Sequence, residues 1–508
     1  MQAFLKFFGI LVGLLVALVI AAALYVQNAN HLKPELEALI AERTGIEVTL
    51  GGDLNWQLWP PIQLTASQVT AADAGRTIRI EQLALSMDVQ AFWQDMSKWR
   101  VDEFHLTDTE LQQDGQTIRL AKLDLTDFAP NTPADLSMSG EIQASAKAPA
   151  YPFTVDGQVT YAPASDTQVE QLSFNQTRFS TTGVKGVCDV DVRDNPRVPS
   201  GLPAAKETDL LPLETLLSYD VIGDCAWSEV TLDEQTFTDI ETKITNLGHT
   251  LNLYIQAPDF FSGSMITEVD ITLWPTPVRW HILPELTNVD SKQLLDWRNR
   301  SIDWRALFAT NSDMTFTGNS LDELYKTVSA DSQLDGQPGQ IDITGLKKQL
   351  ANIALLTRQG ESVADWPDIW NYQNMTGSLI TRGENQVFDF VLDHLHINGE
   401  GKINYLTETV DMLAHVTIGA APEGSPYRVN PILEDTPLPF RCRGPSADVK
   451  CKLDEDATRT MIARALSGGD DTGLRRKLEQ KIDEEVPEEY REAAKGLLDI
   501  LGRALEDN

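Results

Sequence analysis

Few residues in this chain have both the type and the spacing for chemistry. Four of them are cysteines: Cys188, Cys225, Cys442 and Cys451. Four cysteines allow three connectivities. In "PFRCRGPSADVKCKL" a turn-forming "GPSAD" separates two short alternating runs. With Cys442 opposite Cys451 in an antiparallel hairpin, Phe440 faces Leu453 and Gly444 faces Val449 on the same side. The other side then carries a basic face of Arg441, Arg443, Lys450 and Lys452. Cys188 and Cys225 form the second pair by elimination, and disulfides suit an oxidising compartment. A thiolate metal site is the rival reading, but there is no CxxC and no histidine at a supportive spacing.

The remaining motifs are weaker. His394 and His396 in "DHLHIN" stand two apart, as on one face of a strand, and lack an evident third metal ligand. "GDDTGLRRK" contains an Asp-Thr-Gly like that of an aspartic protease, but it leads into a basic helix. Asp471 or Thr472 is therefore read as a helix N-cap. No GxSxG, HExxH or Walker-type glycine loop occurs. Trp56 and Trp59 suit either a bilayer interface, where indoles are favoured, or packing near the first strands. The basic face could meet phosphate headgroups or an anionic partner; a solvated strand face is the plainer reading.

The elements that must position these residues are mostly strands. Period-two alternation recurs in "TIRIEQLALSMDVQ", "VDEFHLTDTELQQ", "TLNLYIQA", "MITEVDITLW" and "QVFDFVLDHLHINGEGKINYLTETVDMLAHVTI", with short polar turns between such runs. That is the pattern of a long antiparallel meander with one apolar and one polar face. In "TIRIEQLALSM" the phase changes: Ile78 and Ile80 give way to Leu83, Leu85 and Met87, which predicts a bulge. These five residues are the candidates for lining an apolar groove.

The start, "MQAFLKFFGILVGLLVALVIAAALYVQNAN", has an uninterrupted apolar run from Phe7 to Val26. At helical rise it spans roughly 30 Å, one bilayer core. Lys6 before it and "QNAN" after it predict a cytoplasmic N-terminus and a translocated bulk. Ala21, Ala22 and Ala23 keep a cleaved signal as the alternative. "LKPELEALIAERTG" then reads as a short helix with Leu36, Leu39 and Ile40 on one face. Two amphipathic helices are expected at the other end, one with Leu478 and Ile482, the next with Tyr490 and Leu497. The 508 residues carry a net charge of −34, which argues against nucleic acid as a partner and against broad adsorption to anionic lipid.

In order along the chain, several stretches resemble the AsmA family of membrane-anchored bacterial envelope proteins. The first carriers are Thr44-Gly45-Ile46-Glu47-Val48, Gly52-Asp53-Leu54 and Trp59-Pro60. "FFSGSMITEVDI", "LTNVDSKQLLD", "DGQPGQIDITGLKKQLANI", "INGEGKINYLTETVDM" and the terminal "LPFRCRGPSADVKCKLD" follow in family order. The Cys442–Cys451 pair is not a family requirement. The resemblance implies a mainly β fold with peripheral helices. A transmembrane helix would lead into a long curved antiparallel sheet forming a groove, with amphipathic helices at the C-terminus.

The corresponding organisation is a cytoplasmic segment 1–6, an anchor 7–26, an N-terminal β segment 30–130 and a central β segment 131–250 with an inserted loop. A C-terminal β segment 251–420 and a terminal hairpin with helices, 421–508, complete it. The implied activity is non-enzymatic: shielding of phospholipid acyl chains in transit between inner and outer membrane, with no cofactor. The partners are phospholipid and the inner membrane, and beyond these outer-membrane or periplasmic proteins. An envelope assembly factor acting through protein contacts is the alternative. A periplasmic hydrolase is third and lacks a convergent polar cleft.

Overall fold

The computed structural model of the chain describes residues 30, 33–44, 47–57, 62–73, 76–87, 100–113, 116–143, 148–164, 169–195, 197–206, 208–300, 302–357, 363–429, 433–454, 456–458, 474–488, 490–492 and 494–498. The expected anchor 7–26, Trp59, and Asp471 with Thr472 lie outside the described residues. Among the described residues no helix is long and apolar enough to cross a membrane. The fold is mainly β with few helices, in two compact units. One comprises the residues up to 257 with Thr272–Pro275; the other comprises Pro258–Ile271 and the residues from Thr276 on.

The first unit opens with helix α1 (Lys33–Thr44). An antiparallel meander follows: β1 (Glu47–Leu50), β2 (Leu54–Gln57), β3 (Ile62–Asp73), β4 (Arg76–Met87), β5 (Val101–Gln113), β6 (Gln116–Phe128), β7 (Pro133–Gln143) and β8 (Ala150–Ala162). It continues through β9 (Gln171–Thr181), β10 (Val184–Asp194), the short helix α2 (Leu213–Ser218), β11 (Tyr219–Leu232), β12 (Gln235–Phe237), β13 (Ile240–Leu247) and β14 (Thr250–Phe260). α1 covers the first strands. Leu36 and Ile40, each 1% exposed, join the core of β1–β9. The Glu37 carboxylate accepts the amide of Leu50 at 2.7 Å.

The phase change within "TIRIEQLALSM" is real, but its structural form differs from the expected bulge. A bulge would shift the register of one strand against its neighbours. Instead, the β3–β4 register is the same on both sides of the unpaired Gln68 and Glu81, as Ser67 faces Gln82 and Val69 faces Ile80. β4–β5 and β5–β6 likewise continue in register across Asp108 and Ala121. Four neighbouring strands therefore leave the pleat together along one row, with Gln68 and Asp108 at left-handed φ of 53° and 47°. Along this row the register first shifts at β6–β7, between Leu120 and Lys122, and β4–β5 shifts separately at Ser86 and Met87. Because the break is shared, Ile80 and Leu83 lie on one face although three residues apart.

The second unit contains β15 (Gly263–Thr272), β16 (Arg279–Asp290), α3 (Ser291–Trp297), β17 (Trp304–Arg305), β18 (Leu307–Thr317), α4 (Leu321–Thr327), β19 (Ser329–Gly336), β20 (Gly339–Asp342), α5 (Thr344–Thr357) and β21 (Ile369–Tyr372). β22 (Met375–Arg382), β23 (Asn385–Leu392), β24 (Leu395–Asn404), β25 (Thr409–Ile418), β26 (Leu438–Pro445), β27 (Lys450–Leu453) and α6 (Leu474–Glu485) complete it. β16, β18, β19 and β22–β27 pair antiparallel in that order. β17, β20 and β21 form a small separate sheet. This sheet and α5 cover one end of the larger sheet's apolar face, through Leu350, Trp370 and Tyr372 packed with Met375, Leu395 and Ile418. Trp370 is fully buried, stacked on Tyr427 at 4.2 Å.

Both expected disulfides are present, Cys188–Cys225 across β10–β11 and Cys442–Cys451 across β26–β27. In the terminal hairpin Phe440 faces Leu453, Arg441 faces Lys452 and Arg443 faces Lys450, the register read from the sequence. The bridges close loops with separations of 37 and 9 residues. Loop-closure entropy then predicts that Cys188→Ala with Cys225→Ala costs about 4 kcal/mol, and Cys442→Ala with Cys451→Ala about 3 kcal/mol. Denaturant unfolding of the two double variants without reductant should give that order. A larger loss from the terminal pair would show that chain entropy is not the controlling term.

Candidate functional site

Cross-strand register sorts the first unit's side chains into rows. One row runs Leu54–Ala66–Leu83–Leu106–Leu123–Met138–Val155–Phe179–Gly186–Trp227–Ile240, crossing β2 to β11 and β13. No position in it is charged or polar apart from the indole N–H of Trp227. That group is satisfied by the Thr242 hydroxyl at 2.9 Å. The adjacent row points to the other face and reads Asn55–Thr65–Ala84–His105–Asp124–Ser137–Asp156–Arg178–Val187–Ala226–Glu241. Alternation within strands produces this segregation, and register extends it across them.

Exposure divides the apolar row. Leu83, Leu106 and Leu123 are buried in the core. From β7 onward Met138, Val155, Phe179 and Trp227 are half-buried. Further out on the same face, Ile118 faces Ile142, which faces Tyr151, and the last two are 41% and 46% exposed. The accessible apolar surface of this unit is therefore on β6–β11. The five candidate residues on β4 share the face, but four of them are closed over: Ile80 is 4% exposed, Leu83 5%, Leu85 6% and Met87 4%. Ile78 is half-buried. The sequence reading missed Val155, Phe179 and Trp227. The alternation in "FTVDGQVTY" marks Val155 as an apolar-face residue, but nothing local says that its neighbours leave it open.

The second unit repeats the arrangement. Ile282–Met314–Ala330–Thr381–Gln386–Gly401–Met412–Cys442–Cys451 form an uncharged row, and Ser312–Ser332–Leu379–Phe388–Gly399–Ala414–Phe440–Leu453 form the next one on that face. Both disulfides lie on the apolar faces, since Cys188 alternates with Gly186 and Val190 as Cys442 does with Phe440. Phe388 and Phe390 lie against glycines on neighbouring strands. A Cβ on Gly377 would stand 2.2 Å from Phe390 Cδ1, and one on Gly399 would stand 2.8 Å from Phe388 Cζ and 2.2 Å from the Leu413 carbonyl. Gly399→Val should therefore destabilise this unit by about 2–3 kcal/mol, through overpacking against backbone. A variant with an unchanged denaturation midpoint would show that the ring and strand move aside freely.

On the opposite face of this unit stand the four basic residues. Arg441 and Arg443 both bind Asp411, at 2.5 and 3.1 Å, and Lys450 lies 3.4 Å from Asp448. Partial burial raises the Asp411 pKa, but the bonds from Arg443 and Arg441 outweigh this and hold it below the usual carboxylate range. Lys452 makes no ion pair among the described residues. Trp56 is half-buried, opposite Leu64, and packs against the first unit's core. The two histidines do not share a strand face. His394 lies in the turn before β24, with Nε2 3.3 Å from the Tyr427 carbonyl. His396 reaches Asp389 at 2.9 Å. Among the described residues no group of three or more His, Cys, Asp or Glu could hold a metal ion.

These features define a class: antiparallel β proteins with one uncharged face carried from strand to strand. The sequence model of the AsmA family matches residues 1–160, the part of the chain that carries the opening motifs. Proteins of that family belong to the bacterial envelope. No curated protein matches the chain, and no solved structure does.

Proposed function

We propose that this is an inner-membrane anchored periplasmic protein whose uncharged sheet faces shield phospholipid acyl chains in transit between inner and outer membrane. The observation that supports it best is the row from Leu54 to Ile240, in which eleven strands contribute no charge. Acyl methylenes laid along Val155, Phe179 and Trp227 would leave water, at roughly 0.8 kcal/mol each. Shielding of this kind needs neither a catalytic group nor a cofactor. The apolar run Phe7–Val26 supplies the anchor in this reading.

The test is mass spectrometry of lipid held by the chain from about residue 28 onward, produced in an oxidising periplasm. Without the apolar run there is no detergent belt, so retained phospholipid must sit on the folded units. Stoichiometric phospholipid supports the reading; a lipid-free protein after gentle extraction overturns it. The assembly-factor alternative has one observation in its favour. Ile380 and Val387 face each other on the charged side, exposed by 40% and 48%, as a protein contact would require.

A further inference from the structure

We propose that a depression at the strand ends of the second unit binds a phosphate ester, namely the headgroup phosphate of the lipid whose chains occupy the uncharged face. This rests on the lipid-carrying reading. The depression, of about 440 Å³, is bounded by Lys326, Arg382, Lys402, Ser329, Val328 and Glu384 among others. Its floor follows the row Ser329–Arg382–Asn385–Lys402 across β19, β22, β23 and β24. The next residues along these strands are Ala330, Thr381, Gln386 and Gly401, one of the uncharged rows. Leu379 and Phe388 follow two residues beyond Thr381 and Gln386, about 7 Å along the strands. The side chains of this row point to the face opposite the uncharged rows, so an amphiphile must bend round the β22–β23 hairpin tip at Gly383 and Glu384 to place its phosphate among the cations and its chains on the uncharged face.

Lys326, Arg382 and Lys402 line the depression with Glu384, and since Asp322 and Asp331 pair with the first two, Lys402 is the cation left for an anion. Arg382 is held rigidly: Nη2 reaches both Asp331 oxygens at 3.0 Å, and Nη1 donates to the carbonyls of Ala330 and Thr381 at 3.0 and 2.8 Å. Lys326 pairs with Asp322 at 2.6 Å. Lys402 makes no ion pair among the described residues. Its cross-strand neighbour Asp411 is already bound by Arg441 and Arg443, which leaves the Lys402 ammonium available. A phosphate ester offers the acceptor oxygens that ammonium and guanidinium donors bind most strongly.

The experiment is calorimetric titration of the full chain, purified in a nonionic detergent, with dihexanoyl phosphatidylglycerol, glycerol 3-phosphate and inorganic phosphate. Loss of one charged donor predicts roughly tenfold weaker binding of the short-chain phospholipid by Lys402→Gln, with Lys326→Gln in the same direction. Lys452→Gln, on the same sheet but outside the depression, should leave the affinity unchanged. Equal affinity in all three variants overturns the proposal. So does a Lys402 dependence confined to inorganic phosphate, which would make the depression a free-phosphate site. Lys402-dependent binding of glycerol 3-phosphate by a chain that retains no phospholipid would defeat the lipid-carrying reading instead. Retained phospholipid with no Lys402 dependence would defeat only the depression's role.

Discussion

Val155→Asp is expected to empty the protein of phospholipid while leaving it folded. Val155 stands midway along the first unit's uncharged row, flanked by Met138 and Phe179, and is half-buried. In the free protein a carboxylate there keeps contact with water, so the denaturation midpoint should move little. Against an acyl chain the same carboxylate loses that water with no partner to replace it, a cost of several kcal/mol. Bound phospholipid, quantified by mass spectrometry, should fall by at least tenfold. Unchanged lipid content in a folded Val155→Asp protein would show that this face is not where chains lie.

The complementary substitution acts on stability. Leu85 is 6% exposed, with Leu64 and Phe104 opposite it on the two neighbouring strands. Leu85→Asp loses the packed side chain and buries an unpaired carboxyl group, two of the few mechanisms that exceed 4 kcal/mol. The first unit should therefore lose on the order of 4 kcal/mol or more in denaturant unfolding, and loss of lipid would follow from unfolding alone. A stable, lipid-free Leu85→Asp protein would mean that β4 is open after all. The two aspartates are chemically alike and differ only in what surrounds them.

That contrast also marks the limit of what could be read from sequence. Alternation in "TIRIEQLALSM" identifies which residues share a face, because side-chain direction is a local property of a strand. Whether the face is covered depends on α1 and on strands far away in the chain, so Leu85 and Val155 look equivalent until the fold is known. The Cys442–Cys451 hairpin was legible because a short turn fixes its register. The row of breaks through Gln68, Glu81, Asp108 and Ala121 was not, since each strand alone shows only a change of phase. His394 was assigned to a strand by its spacing from His396, but the left-handed Asp393 (φ 49°) places it in a turn. The depression near Lys402 was hidden for a topological reason. β19 pairs with β22, although β20, α5 and β21 lie between them in the sequence.

The uncharged row carries a further consequence, concerning kinetics rather than affinity. Met138, Val155 and Phe179 stand on the successive strands β7, β8 and β9, and Trp227 follows on β11 beyond Gly186, so apolar contact continues along this stretch. A chain sliding by one strand, about 4.8 Å, exchanges one set of apolar contacts for a similar set. In the lipid-carrying reading, net movement along such a track would follow whatever difference in lipid supply exists between its ends.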